Sequence, residues 1–180
     1  MCRYAMKTYK CHYACFDCKK SFKRRLMRDI GKDEKQSVPA KCPQCGHLMA
    51  NMGKDFEAPK MIDSKAWEHL KSLYSVGITF HSCGCSGPGY IPNSAEQLKK
   101  YLESVQLDFQ AQLKFWRSRQ EPENDREIER EKSKFGDYLY QIPLELRRKN
   151  KIISTQDAVT YWMGKIVEIA QQIKTVRVRP

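Results

Sequence analysis

The chain has 180 residues and a net charge of +12, and its hydrophobic fraction of 41% is that of a globular protein with a charged surface. No apolar run approaches the length of a membrane-spanning helix, and no apolar stretch near the start marks a secretory signal. We therefore expect a cytoplasmic protein without a membrane partner, in which the eight cysteines indicate metal ligation rather than disulfides.

The positive charge is concentrated near the N-terminus. Residues 1–60 contain 14 Lys and Arg against 6 Asp and Glu, whereas residues 61–180 contain 19 against 15. A positive excess attracts polyanions, and nucleic acids are the largest polyanions of the cytoplasm. An ordinary solvated surface explains the charge equally well, so the charge alone does not decide between the two interpretations.

The first 60 residues predict a small sheet built around a metal ion. Alternating side chains favour strands over 9–16, 19–26 and 47–52, joined by two Cys-x-x-Cys turns. Each such turn presents two sulfurs to one ion, and strands this short need the ion to hold together. The four predicted ligands are Cys15, Cys18, Cys42 and Cys45.

Four thiolates fill a tetrahedral shell, so we expect one structural Zn²⁺ with no open coordination position, and zinc is favoured over iron. Gly46 suits the second turn because it leaves room for backbone N–H groups near the sulfurs. No nucleophile–base pattern and no phosphate-binding glycine motif occurs, so we expect a protein that is not an enzyme.

Basic and aromatic residues surround the first Cys-x-x-Cys turn. Lys and Arg neutralise phosphates and aromatic rings stack on unpaired bases, although small ribbons also use aromatic rings to cover their metal site. RNA is favoured over DNA because such an arm suits irregular or single-stranded targets. The candidate nucleic-acid contacts are Lys19, Lys20, Lys23, Arg24, Arg25, Arg28, Tyr13 and Phe22.

Residues 61–180 are predicted to be mainly helical. A short helix opens at Asp63 and ends near Gly77, and a Gly- and Cys-rich loop follows at 81–89. His81, Cys83 and Cys85 in this loop offer three ligands for a second metal site; a tight turn with small thiols is the alternative.

Two longer amphipathic helices follow. The first starts at a capping box formed by Ser94 and Gln97, and the second starts near Ser154. The charge-dense segment 126–134 between them is either a solvated helix or a linker, and 135–146 shows no clear period. In both long helices, apolar side chains spaced by three or four define the inner face. In the first helix these are Leu98, Leu102, Val105, Phe109, Leu113 and Trp116, and in the second they are Ala158, Trp162, Ile166, Ile169 and Ile173.

The stretch Tyr13–Lys20, together with Cys42–Gly46 and Asn51–Pro59, resembles a group of short bacterial zinc-ribbon proteins that have no assigned activity. The second turn is also similar to those of rubredoxins, whereas the first departs from that family because Lys19 stands where it has glycine. Ribbons of this build recur in ribosomal proteins and transcription factors. The resemblance covers the first third of the chain and implies a Cys₄ zinc ribbon there. Together with the mainly helical remainder, the sequence predicts an α+β fold.

Three functions are compatible with these observations. The favoured one is a zinc-ribbon protein that binds structured RNA as a ribosome-associated or translation-related factor. The second is a protein–protein adaptor that binds its partner through its helices. Exposed apolar side chains at Tyr101, Leu107 and Phe115, outside the apolar stripe of the first long helix, would favour this function. The third is a metalloprotein with a second site at 81–85.

Overall fold

The computed structural model describes residues 10–23, 39–83, 85–147 and 153–176. Within these ranges the chain is α+β, with a three-stranded antiparallel sheet followed by four α-helices. The chain divides into two compact units, Met1–Leu98 and Lys99–Pro180. The first unit contains the sheet and the first helix; the division at residue 60 stays a prediction about domain organisation.

The sheet consists of β1 (His12–Cys15), β2 (Lys20–Lys23) and β3 (Ala50–Gly53), in the order β2-β1-β3. The central strand, β1, is antiparallel to both neighbours. Tyr13 pairs with Phe22, and Cys15 pairs with Lys20. The strands are shorter than the alternation predicted, and residues 24–26 lie outside the described residues.

Helix α1 (Ser64–Ser75) packs on the first Cys-x-x-Cys turn. It begins at Asp63, whose Oδ1 accepts a hydrogen bond from the Ala66 N–H at 3.0 Å. Trp67 is 2% exposed, and its ring lies edge-on to the ring of Phe16, with 6.4 Å between centroids. Because Phe16 lies between Cys15 and Cys18, this contact attaches the helix to the turn.

The segment at Phe80 pairs with β3 without forming a regular strand. The Phe80 N–H donates to the Met52 carbonyl at 2.7 Å, and the Phe80 carbonyl accepts from the Asp55 N–H at 3.1 Å. Gly53 lies between these bonds with φ of +98°, and a Cβ there would stand 2.5 Å from the Phe80 carbonyl carbon. Only glycine fits this approach without a shift of the backbone.

Helix α2 (Ala95–Ser118) begins in the first unit and continues into the second. The predicted cap at Ser94 is confirmed, since Ser94 Oγ accepts from the Gln97 N–H at 3.2 Å. The return bond of the predicted capping box lies one residue earlier, because Gln97 Oε1 accepts from the Asn93 N–H at 2.9 Å. The other helices of the second unit are α3 (Asp125–Tyr140), a short 3₁₀ helix (Leu144–Leu146) and α4 (Thr155–Thr175). Their buried core is Trp116, Ile142, Ile153, Ala158 and Trp162.

The expectation of two longer helices was incomplete, because α3 is a third. Asn124 Oδ1 caps it by accepting from the Glu127 N–H at 3.0 Å, and Glu127 Oε2 accepts from the Glu123 N–H at 2.9 Å. Phe135 has non-helical torsions of φ −127° and ψ 24°, so α3 is kinked there and its apolar period is interrupted. None of the helices in the described parts of the chain is both long and apolar enough to span a bilayer.

Candidate metal centre

The four predicted cysteine ligands come together at one end of the sheet. Their sulfur atoms all lie within 4.8 Å of one another. The Cys15 and Cys45 sulfurs are 3.6 Å apart, and those of Cys18 and Cys42 are 3.9 Å apart. Four sulfurs bound to a tetrahedral Zn²⁺ at about 2.3 Å would lie about 3.8 Å apart. The side chains are therefore already arranged as a tetrahedral metal site requires.

Both turns reverse the chain through a residue with positive φ directly after the second cysteine. In the second turn this residue is Gly46, with φ of +77°, and in the first it is Lys19, with φ of +51°. The second turn is closed by a hydrogen bond from the Gly46 N–H to the Cys42 carbonyl at 2.9 Å. The two turns thus have a similar backbone although only one has glycine, and Lys19 is under steric strain.

Backbone N–H groups in the second turn favour the ionised form of the Cys42 thiol. Burial alone would raise its pKa, but hydrogen bonds from the N–H groups of Cys45 and Gln44 outweigh burial and lower the pKa to about 7. The opposite holds for Cys18, whose pKa is raised to about 12 by its hydrogen bond with the Cys45 thiol and then by burial. Burial also raises the pKa of the Cys15 thiol.

Ionisation of one thiol also affects its neighbours. Four thiolates within 4.8 Å of one another would repel, so ionisation of the most acidic thiol makes ionisation of its neighbours harder. A divalent cation at their centre removes that repulsion and binds the thiolate form. The donor set, the spacing and the N–H···S bonds therefore fit a metal ion, which Cys15, Cys18, Cys42 and Cys45 would hold.

The site is buried on one side and open on the other. Cys15 is 1% exposed and Cys42 is 2% exposed, whereas Cys45 lies at the surface. Beside Cys45, His47 Nδ1 lies 2.7 Å from Asp17 Oδ2, and the ligand atoms of these three residues lie within 4.8 Å of one another. The sequence pattern did not point to Asp17 or His47; their only signal is their position within two residues of a ligand cysteine.

The three lysines predicted to meet nucleic acid lie on β2 or directly before it. Lys20 and Lys23 are exposed on β2, and Lys19 directly follows the first turn. The Lys19 Nζ donates to Ser64 Oγ at 2.7 Å and the Lys20 Nζ donates to Gln44 Oε1 at 2.8 Å. Both acceptors are uncharged, so among the described residues no carboxylate neutralises these two lysines.

The aromatic candidates form a cross-strand pair, since Tyr13 and Phe22 are register partners and both are partly exposed. Three further candidates, Arg24, Arg25 and Arg28, lie outside the described residues.

The candidate second metal site is not assembled in the same way. Within the described ranges, two groups of His, Cys, Asp or Glu have ligand atoms close enough to share an ion, and both include Cys45. His81, Cys83 and Cys85 belong to neither group, so that site stays a prediction.

Comparison with known proteins adds no assignment: no protein-family model matches the chain, and no curated protein or solved structure shows significant similarity to it.

Proposed function

We propose that residues 1–60 form a Cys₄ zinc ribbon that binds nucleic acid, with structured RNA as the favoured target in a ribosome-associated or translation-related role. The observation that carries this proposal is the position of Lys20, which pairs in register with the ligand Cys15 and whose hydrogen-bond acceptor is an uncharged side chain. A metal ion bound to Cys15 would hold β1 in place, and the backbone pairing between β1 and β2 would hold β2. The basic strand is therefore held rigidly, with its charge available to a phosphate.

Tyr13 and Phe22 add a surface suited to unpaired bases. Their rings belong to paired residues of adjacent strands, where side chains share one face of the sheet, and both are partly exposed. Stacking on such rings tolerates any base, so this part of the interface would supply affinity for single-stranded or looped RNA without strict sequence preference.

The proposal is tested by measuring RNA affinity against salt concentration. The double variant Lys20→Ala/Lys23→Ala should bind a structured RNA more weakly and should reduce the slope of log K against log salt by about 1 to 2, because two phosphate contacts are lost. The matched control is Lys114→Ala/Lys174→Ala, which removes two exposed lysines from α2 and α4. Both double variants have the same net charge, so a general effect of the protein's electric field would lower their RNA affinities equally.

Two results would contradict the proposal at different levels. Equal salt slopes in the two double variants would remove β2 from the interface. Failure of the zinc-loaded wild-type protein to bind any RNA, or co-purification of no nuclease-sensitive material from native lysate, would remove the function itself.

An adaptor role is the second candidate, and one observation favours it. Leu107 on α2 is 65% exposed and Tyr101 is 37% exposed, both off the buried stripe of that helix. Phe115 does not contribute, because its ring stacks on Tyr138 with 4.2 Å between centroids. A protein partner that survives nuclease treatment and is lost in Leu107→Asp would support this role; retention of all nuclease-resistant partners by the variant would contradict it.

A further inference from the structure

The second unit contains a cavity of about 400 Å³ beside α3. Its walls are mostly apolar and include Ile128, Leu139, Leu144 and Ile153. This volume falls within the range of about 300 to 1,000 Å³ that is usual for small-molecule sites. The cavity belongs to the second unit and the cysteine cluster to the first.

The position of α3 explains why the cavity exists. Although α3 is amphipathic, none of its residues is fully buried, whereas α4 buries Ala158, Trp162 and Ile169. Ile128 and Leu139 of α3 both line the cavity. Part of the apolar face of α3 therefore borders open volume instead of packed side chains, and an apolar guest would remove that face from water.

Arg147 places a positive charge in the cavity wall. Its Nη2 donates to the carbonyl oxygens of Leu139, Tyr140 and Ile142 at 3.3, 3.3 and 3.0 Å, which caps the C-terminal end of α3. These acceptors are neutral, and among the described residues the guanidinium forms no ion pair. Its Nε is buried and has no hydrogen-bond partner there. A buried N–H without an acceptor is costly, which indicates a place for one.

The other cations of the wall are already neutralised. Arg119 forms a partly buried ion pair with Glu131, and Lys132 Nζ lies 2.7 Å from Glu129 Oε1. Among the lining residues, one positive charge is thus left without a carboxylate, and that charge matches a single negative group. A polyphosphate would need more cations and less apolar wall.

We propose that this cavity binds an amphipathic monocarboxylate, such as a medium-chain fatty acid. The apolar chain fills the space beside Ile128, Leu139 and Leu144, and the carboxylate accepts a hydrogen bond from Arg147 Nε. The inference is independent of the proposed zinc and RNA functions.

The test uses three ligands with the same ten-carbon chain and different head groups. Decanoate, decan-1-ol and decyltrimethylammonium are titrated into the full-length protein below their micellar concentrations, followed by tryptophan fluorescence and by the shift in Tm. Trp116 lies 4.9 Å from the Arg119 guanidinium, a cavity-lining group, and reports on this region. Decanoate should bind at least tenfold more tightly than decan-1-ol, and the cationic ligand should bind most weakly.

Two variants separate the head-group contact from the cavity. Arg147→Gln should abolish the preference for acid over alcohol. Gly136→Leu should abolish binding of both, because Gly136 lines the cavity and the larger side chain would occupy its volume. A Cβ there would already contact the ring of Tyr140, another lining residue, at 3.4 Å. Leucine also has a higher helix propensity than glycine, so Gly136→Leu is expected to stay folded. It therefore still tests the cavity if Arg147→Gln unfolds through loss of the cap on α3.

Equal affinity of the wild-type protein for decanoate and decan-1-ol would overturn the proposal. Unchanged decanoate affinity in folded Gly136→Leu would also overturn it, since the fatty acid would then bind elsewhere as an adventitious additive only.

Discussion

Replacing Gly53 with alanine tests how closely the segment at Phe80 packs on β3. The new Cβ would lie 2.5 Å from the carbonyl carbon and oxygen of Phe80 and 2.6 Å from the backbone nitrogen of His81. All three are main-chain atoms, so no side-chain rotation relieves the clash. The segment has to move away from β3.

The expected cost has two parts. A residue with a side chain at φ of +98° costs about 1 to 2 kcal/mol relative to glycine. Displacement of the segment also breaks the hydrogen bonds that Phe80 forms with Met52 and Asp55, at about 1 kcal/mol each. We therefore expect Gly53→Ala to lower the free energy of unfolding of the first unit by about 3 to 4 kcal/mol.

Gly77→Ala is the matched control. Gly77 has φ of +82° but no atom within 4 Å of its would-be Cβ, so only the torsional cost of about 1 to 2 kcal/mol applies. Native-state hydrogen exchange of the β3 amides in the metal-loaded protein measures the free energy of opening in both variants. The difference of about 2 kcal/mol corresponds to a factor of about 30 in the opening equilibrium. Equal destabilisation by the two variants would refute the close approach at Phe80.

Three further predictions concern single side chains. Lys19→Gly should stabilise the first unit by up to about 1 kcal/mol, because glycine adopts the φ of +51° there without strain, whereas Lys20→Gly in β2 should destabilise it by about 0.5 to 1 kcal/mol. Arg119→Met should destabilise the second unit by about 3 to 5 kcal/mol in urea unfolding. It leaves the partly buried Glu131 carboxylate without its partner and removes the hydrogen bonds to the Ile153 carbonyl and Thr155 Oγ1. Burial, and then the nearby charge of Lys23, lower the pKa of His12 below 6.5 in the folded protein. The unfolded chain therefore binds the proton more readily, and stability falls as the pH drops below 6.5. His12→Gln should flatten this acid dependence.

Each of these has a result that would count against it. A Lys19→Gly variant less stable than wild type would mean that the hydrogen bond to Ser64 outweighs the backbone strain. The double variant Arg119→Met/Glu131→Leu should recover the part of the lost stability that comes from the unpaired charge. Failure to recover any would show that the lost hydrogen bonds to Ile153 and Thr155, or packing, are responsible. An identical acid dependence in wild type and His12→Gln would exclude His12 as its source.

The metal centre was predictable because its determinants are local. A Cys-x-x-Cys turn fixes the distance between its own two sulfurs, and Gly46 marks the conformation that the second turn requires. Helix α1 was predictable for the same reason, since Asp63 and the three-to-four spacing of its apolar residues are contiguous signals. Each Cys-x-x-Cys turn and each helix start is a signal within a few consecutive residues, and the need of one ion for four sulfurs predicts that the two turns meet.

Other features depend on contacts between distant segments. The requirement for glycine at Gly53 arises from Phe80, and no property of either residue alone indicates it. Helix α3 was not predicted as a single element because Phe135 interrupts its period and its apolar residues border a cavity. The buried Arg147 Nε without an acceptor among the described residues likewise depends on how the chain folds around it and has no signal in the sequence.

The metal content of the natively purified protein tests the central claim most directly. Elemental analysis should find one zinc per chain, and a cobalt-substituted sample should show the absorption of a tetrahedral thiolate site. Cys42→Ser should lose the metal, because three sulfurs no longer complete the shell, whereas the control Cys83→Ser should retain one zinc per chain, since Cys83 lies outside the cluster. Wild-type protein without metal, or full retention of zinc in Cys42→Ser, would contradict the account.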